Sequence, residues 1–279
     1  VNQRTRSRTD STATAKVVLI TGASSGIGQV CADRLHRSGR VVIGASRRTI
    51  AGASWQQLAM DVDDDASVAE GVAAVIAEHG RLDAVIACAG WGLAGAVEDT
   101  PIADALAQLD TNFWGAVRVV QSALPVMRAQ GGGRVVLVSS IGGVLGIPFQ
   151  AFYSASKFAM EGYGEALAYE VQPFGIHVTL VQPGNIRTGF TASRKLVAAA
   201  GPHDPYAAAR AKAIELMERD EANGAQAETV AAAIERVLDS ARPPRRISVG
   251  KFDERIGVIG KRLLPYRLFE RAARSSLGV

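Results

Sequence analysis

From residue 16 onward, short runs of apolar and β-branched residues alternate with stretches long enough to be helices. The runs lie at 17–20, 41–44, 57–60, 84–87, 134–138 and 177–182, and 246–250 is a candidate for a last one. All but the third are nearly continuous in apolar character, the pattern of strands covered on both faces. Helices are expected near 27–38, 66–78, 102–129, 154–172 and 226–240, with Thr100 as an N-cap ahead of Pro101 at the first helical position. Strands alternating with helices build a parallel sheet, and right-handed crossovers put helices on both of its faces. The predicted fold class is therefore α/β, a single-domain, doubly wound, Rossmann-type sheet. After Pro183 the rhythm breaks. Residues 184–224 carry Gly, Pro and an Ala-rich helical piece at 206–219, and a long insertion after a late strand is where a lid is built.

Bulk properties narrow the classes further. The chain has 279 residues, 48% of them hydrophobic, enough for one large core. Two cysteines, Cys31 and Cys88, are no disulfide framework and suit a reducing, cytoplasmic setting. No apolar run is long enough to cross a membrane, since the best, 135–152, is interrupted by Ser, Gly and Pro. The formal charge of +4 is uneven: the segment from Arg242 to the end carries ten basic and three acidic residues, and the first 16 residues carry four and one. The remainder is acidic, which argues against nucleic acid as a partner. Residues 1–15 are polar and aperiodic and read as a flexible tail. His36 and His177 have no metal-ligand spacing with a partner, so no metal is expected.

The segment VVLITGASSGIG runs from strand through tight turn into helix. Gly22 permits a sharp exit from the strand. Gly26 and Gly28 let backbone approach a pyrophosphate and let the helix pack on the sheet, with its N-terminus toward the phosphates. Gly22, Ser24, Ser25, Gly26, Ile27 and Gly28 are thus the expected phosphate cradle of a dinucleotide. The second strand ends in Ser46, Arg47 and Arg48, where an acid would meet a free ribose 2′-hydroxyl. Guanidinium groups grip a 2′-phosphate instead, so NADP(H) is the expected cofactor.

Tyr153 and Lys157 stand four positions apart, on one face of the predicted helix. A free phenol titrates near ~10, too high for a general base at neutral pH. A neighbouring ammonium favours the phenolate, so the pair can pass a proton.

Taken together, these motifs resemble the short-chain dehydrogenase/reductase family over about residues 16–250. TGASSGIG resembles its cofactor loop, Asp61 and Val62 the pair that touches adenine, and Asn112 its helix asparagine. Ser140, thirteen residues before Tyr153, resembles the catalytic serine, with Tyr-x-x-x-Lys following. PGNIRTGF, at 183–190, resembles the segment that holds the nicotinamide, which brings in Pro183, Gly184, Ile186 and Thr188. The stretch 139–174 is most similar to hydroxysteroid and retinol dehydrogenases. One departure is Ala87-Cys88-Ala89-Gly90, where the family has Asn-Asn-Ala-Gly, so Ala89 and Gly90 keep the cofactor-side position without the asparagines.

The resemblance implies that Tyr153 is the general acid/base, that Ser140 holds the reacting oxygen, that Lys157 also holds the nicotinamide ribose, and that Asn112 places a water linking Lys157 to solvent. Trp91, Leu93, Val144, Leu145, Phe149, Phe152 and Phe190 fall on segments that meet at the strand ends and suit a bulky apolar ketone or alcohol. The expected function is hydride transfer between NADP(H) and such a substrate. A non-catalytic NADP(H)-binding redox sensor is the alternative of a different class. By analogy a homodimer or homotetramer is expected. The basic, apolar extension 251–279 suits contact with an anionic membrane surface, packing on the domain, or closure over the pocket.

Overall fold

The computed structural model describes residues 15–197 and 203–277; the predicted tail, apart from residue 15, lies outside them. The alternation read from the sequence is present: β1 (Val17–Thr21), α1 (Gly26–Arg37), β2 (Val41–Ser46), β3 (Gln56–Ala59), α2 (Asp65–His79) and β4 (Ala84–Ala87) follow in order. After β5 (Leu93–Ala94) come α3 (Ile102–Leu109), α4 (Gly115–Ala129), β6 (Gly133–Val138), α5 (Ala151–Val171) and β7 (Ile176–Pro183). Seven strands form one sheet in the order β11-β7-β6-β4-β1-β2-β3, where β11 is Arg246–Val249. Every pairing in it is parallel. β1 and β4 are neighbours although two strands separate them in sequence. The chain reverses direction across the sheet there, and the crevice beyond their carboxyl ends is where such folds bind ligands.

The apolar runs are buried because both faces of the sheet are covered. One core lies between the sheet and α2, α4 and α5, with Leu19, Val85, Leu137 and Leu180 at its centre. The other lies against α1 and α8 (Ala227–Asp239), around Ile20, Ile86, Val136 and Ile234. Local signals set the helix ends: Asp64 caps α2 by accepting from Ser67 N at 2.7 Å, and Gly80, at φ 68°, stops it.

Two local expectations are corrected. The single helix expected over 102–129 is divided by a π-helical turn, Asp110–Trp114, which rotates the buried Thr111 and Asn112 inward. Thr100 is no cap: its hydroxyl donates back to the Ala96 carbonyl at 2.6 Å, and Pro101 takes the capping position.

The segment after β7 is built from short pieces: β8 (Ile186–Arg187), α6 (Phe190–Ser193), β9 (Lys195–Leu196), α7 (Ala207–Ala222) and β10 (Ala225–Gln226). β9 pairs with β5, and β10 with β8. Lys195 reaches Asp104 at 2.7 Å, and the Tyr206 hydroxyl donates to Glu98 at 2.8 Å. The chain ends in two helices, α9 (Phe252–Leu263) and α10 (Tyr266–Leu277). Among the described residues no helix is long and apolar enough to cross a membrane.

Candidate active site

One cavity of about 1370 Å³ opens along the carboxyl ends of the strands. The β1–α1 turn makes its floor. Gly22 sits at φ 69°, and a Cβ there would stand 2.9 Å from the Ala89 backbone. A Cβ on Gly28 would overlap the Gly22 carbonyl. Only glycine fits either place, so the turn stays tight against the loop after β4. Across the crevice, Thr188 is the nearest neighbour of Gly26, which brings the post-β7 segment over the phosphate cradle.

All the residues expected to hold the dinucleotide line this cavity: Gly22, Ser24, Ser25, Gly26, Ile27, Gly28, Ser46, Arg47, Arg48, Asp61, Val62, Ala89, Gly90, Tyr153, Lys157, Pro183, Gly184, Ile186 and Thr188. Arg47 and Arg48 are exposed at its edge, and neither forms an ion pair with a described residue. Asp63 was not foreseen. One of its carboxylate oxygens accepts from Thr111 Oγ1 at 2.9 Å, and the other is buried without a partner. Burial pushes the Asp63 carboxyl up, opposed by the Thr111 hydrogen bond. Tight glycines, two free guanidinium groups and a buried acceptor fit a phosphorylated, amino-bearing nucleotide.

The loop after β4 lacks the family's asparagines, and Thr21 does their holding: its Oγ1 accepts from Cys88 N at 3.1 Å and Ala89 N at 3.2 Å. Asn112 clips the next residue. Its amide oxygen accepts from Trp91 N at 2.9 Å, while its Nδ2 donates to Trp91 O at 3.0 Å and to Ser156 Oγ at 3.2 Å. Asn112 is buried and its side chain is fully committed, so it positions the loop and does not line the cavity.

Ser140, Tyr153 and Lys157 converge at the centre. Ser140 ends the segment after β6 in extended backbone, its hydroxyl accepting from Gly142 N at 3.0 Å, and the Tyr153 ring lies beside the same glycine. Tyr153 and Lys157 share one face of α5. The Lys157 ammonium donates to the Val138 carbonyl at 2.9 Å and stands 5.9 Å from the Tyr153 ring centroid. Burial pushes the Tyr153 phenol above its ordinary value, against the Ser140 hydrogen bond; Glu221 adds to the rise and Arg194 opposes it. Burial lowers Lys157 to about 8, with Cys88 and Glu161 acting the other way. The phenol is thus governed by its own desolvation, and the cation that opposes the rise is Arg194, where the sequence points to Lys157.

At the far end the apolar lining differs from the expected set. Trp91, Leu145 and Phe190 are there, the Phe190 ring 5.8 Å from that of Tyr153. Leu93, Val144, Phe149 and Phe152 are not. Leu93 is buried where β5 pairs with β9. Val144 offers its carbonyl to Lys261, and Phe149, at φ 58°, is turned so that its carbonyl meets Gly95 N at 2.8 Å. The wall is completed by Ile147, Pro148, Leu216 and Met217, and by Ile256 and Phe269 from the last two helices. Asp220 and Glu221 line it too, Glu221 bound by Thr191 and Arg194. The helical phase of the C-terminal segment was readable, but its position over the cavity rests on tertiary packing.

Residues 16–197 match the family described as short chain dehydrogenase. A 3-ketodihydrosphingosine reductase of Bacteroides thetaiotaomicron is 41% identical over 93% of this chain and 97% of its own. The human 17-beta-hydroxysteroid dehydrogenase type 1 is 39% identical over 62% of this chain and 58% of its own. A crystal structure of a short-chain dehydrogenase from Streptomyces avermitilis superposes with a TM-score of 0.80 at 31% identity, covering 95% of this chain and 96% of the other.

Proposed function

The chain belongs to the short chain dehydrogenase family, and from that premise we propose that it reduces the ketone of a long apolar substrate with NADPH, Tyr153 giving the proton. The observation that carries the reading is the continuous cavity of about 1370 Å³, which runs from Arg47 and Arg48 past Tyr153 to an apolar wall built partly by the C-terminal helices. Pockets for one small ligand span roughly 300–1,000 Å³, so this one has room for a dinucleotide and a second, bulky molecule.

When bound, NADPH supplies the hydride. The chain supplies position and a proton. The glycine turn and the N-terminus of α1 receive the pyrophosphate, and the two arginines receive the 2′-phosphate. Ser140 and Tyr153 converge on one point, where a carbonyl oxygen accepts from both. Burial raises the Tyr153 phenol and keeps it protonated at neutral pH, which equips it to give its proton to the developing alkoxide. Lys157, one turn further along α5 and hydrogen-bonded to the Val138 carbonyl, is the group from which the phenol regains its proton.

The long-chain amino ketone named for the Bacteroides relative is the first substrate to try. That relative matches through part of the C-terminal helices that wall the cavity, whereas the hydroxysteroid relative covers 62% of the chain. Asp220, paired among the described residues only with its exposed neighbour Arg219, also gives the far end a carboxylate suited to an amine, whereas Glu221 is taken up by Thr191 and Arg194. The test follows NADPH consumption with 3-ketodihydrosphingosine, a steroid ketone and a small aryl ketone, each repeated with NADH and with Tyr153→Phe. Tyrosine-dependent turnover, fastest with the amino ketone and NADPH, is expected. Faster turnover with NADH or undiminished turnover in Tyr153→Phe would overturn the corresponding part of the proposal.

A further inference from the structure

Helix α9 has two opposite faces. On one, Glu254, Val258 and Lys261 fasten it to the domain. Glu254 accepts from Asn185 N at 3.0 Å and Lys251 N at 2.8 Å, which ties the helix to the loop after β7. Val258 is buried. The Lys261 ammonium donates to the Val144 carbonyl and stands 5.0 Å from the Phe158 ring centroid. The other face carries Phe252, Ile256, Ile259 and Leu263, at i, i+4, i+7 and i+11, each between 49% and 77% exposed. Leu264 and Leu268 continue the exposed apolar surface into α10. Singly scattered exposed apolar residues need no explanation, but a helical stripe of them does.

The surroundings of the stripe say what covers it. Arg255 stands beside it, and α10 presents Arg267, Arg271 and Arg274 one turn apart, all exposed and none in an ion pair with a described residue. From 251 to 277 there are seven basic and three acidic residues, and Glu254 among the acids faces inward. Apolar side chains flanked by arginines match the boundary of an anionic bilayer, where aliphatic groups enter the acyl region and guanidinium groups meet phosphate. A second copy would set two rows of like charge against each other. Ile256 belongs both to the stripe and to the cavity wall, and Phe269, next to Leu268, also lines the cavity. The exposed apolar surface is therefore continuous with the interior of the site.

From this we infer that α9 and α10 form a docking surface for anionic lipid at the mouth of the cavity, through which a bilayer-dissolved substrate enters. The surface lies on the membrane without spanning it. Lipid binding itself is independent of which ketone is reduced, so it is measured without substrate or cofactor.

The full chain is floated with vesicles of pure phosphatidylcholine and with vesicles of equal parts phosphatidylcholine and phosphatidylglycerol, at low and high salt. Binding to the anionic vesicles alone, weakened by salt, is expected. Each arginine near the surface is worth about fivefold in partitioning, so replacing Arg267, Arg271 and Arg274 by Ala lowers it roughly 100-fold. Ile259→Glu with Leu263→Glu abolishes binding, while turnover of a water-soluble ketone stays normal and reports an intact fold. Equal binding to both vesicle types, or to neither, overturns the inference. So does a larger species in solution that Ile259→Glu dissociates, which makes the stripe a subunit interface.

Discussion

Thr21 offers the sharpest test of how the site is held. It closes β1, is 1% exposed, and its hydroxyl oxygen accepts from two successive amides of the loop after β4. Thr21→Val keeps the shape of the side chain and removes the acceptor. A buried amide left unpaired costs about 1–3 kcal/mol. Both amides belong to part-buried residues of the cavity wall, so the low end applies and the two together cost about 2 kcal/mol. Thr21→Ser keeps the oxygen and loses one buried methyl, about 0.8 kcal/mol. Packing by itself ranks Val above Ser, whereas the hydrogen bonds rank Ser above Val. Thermal unfolding followed by circular dichroism reads the difference: at about 2–4 °C per kcal/mol for a chain of this size, the Val variant melts roughly 4–8 °C below the parent, and the Ser variant less than half as far. NADPH affinity falls with the Val variant as well, because Ala89 and Gly90 line the cavity. A Val variant as stable as the parent, or more stable than the Ser variant, refutes the assignment of the loop's support to Thr21.

Tyr153→Phe lowers kcat/KM by about 10²–10⁴-fold, the range of general acid–base catalysis, and leaves NADPH binding, measured by fluorescence titration, within a few-fold of the parent. Because burial raises the Tyr153 phenol, alcohol oxidation, which needs the phenolate, accelerates as pH rises toward the phenol's range; a flat profile from neutral to alkaline pH contradicts this. Arg47→Glu raises the KM for NADPH at least tenfold and leaves that for NADH little changed, since one charge-assisted contact to a 2′-phosphate becomes a repulsion. Lys157, at about 8 in the folded chain against its ordinary 10.5, binds fewer protons folded than unfolded between those values. Its burial therefore costs most below about 8 and is relieved as pH rises to 10.5, so the stability of the parent relative to Lys157→Met increases across that window in urea titrations.

Legibility followed the range of the forces involved. The strands of the sheet were readable because burial on both faces leaves continuous apolar runs, and even the weak third one, Gln56–Ala59, kept its place. The division of 102–129 was not readable: its apolar phase continues through the π turn, and the contact made there, from Asn112 to Trp91, joins residues 21 positions apart. Thr100 before Pro101 had the composition of a cap, yet its hydroxyl found a nearer carbonyl. Among the apolar pocket residues, Leu93, Val144 and Phe149 sit on the correct segments with side chains or backbone committed elsewhere, Phe152 lies outside the lining, and Ile256 and Phe269 arrive from far along the chain.

By itself the sequence determined the doubly wound sheet, the glycine turn and the Tyr153–Lys157 pair, because strand burial, tight turns and one-turn helical spacing are local consequences of residue type; Ser140 was added by the family resemblance. Tertiary structure alone decided that Thr21 supports the loop after β4, that Asp63 keeps an unpartnered oxygen, that the last helices wall the cavity, and that desolvation governs the Tyr153 phenol. Each of those depends on which distant groups share one small volume and how much water is left in it.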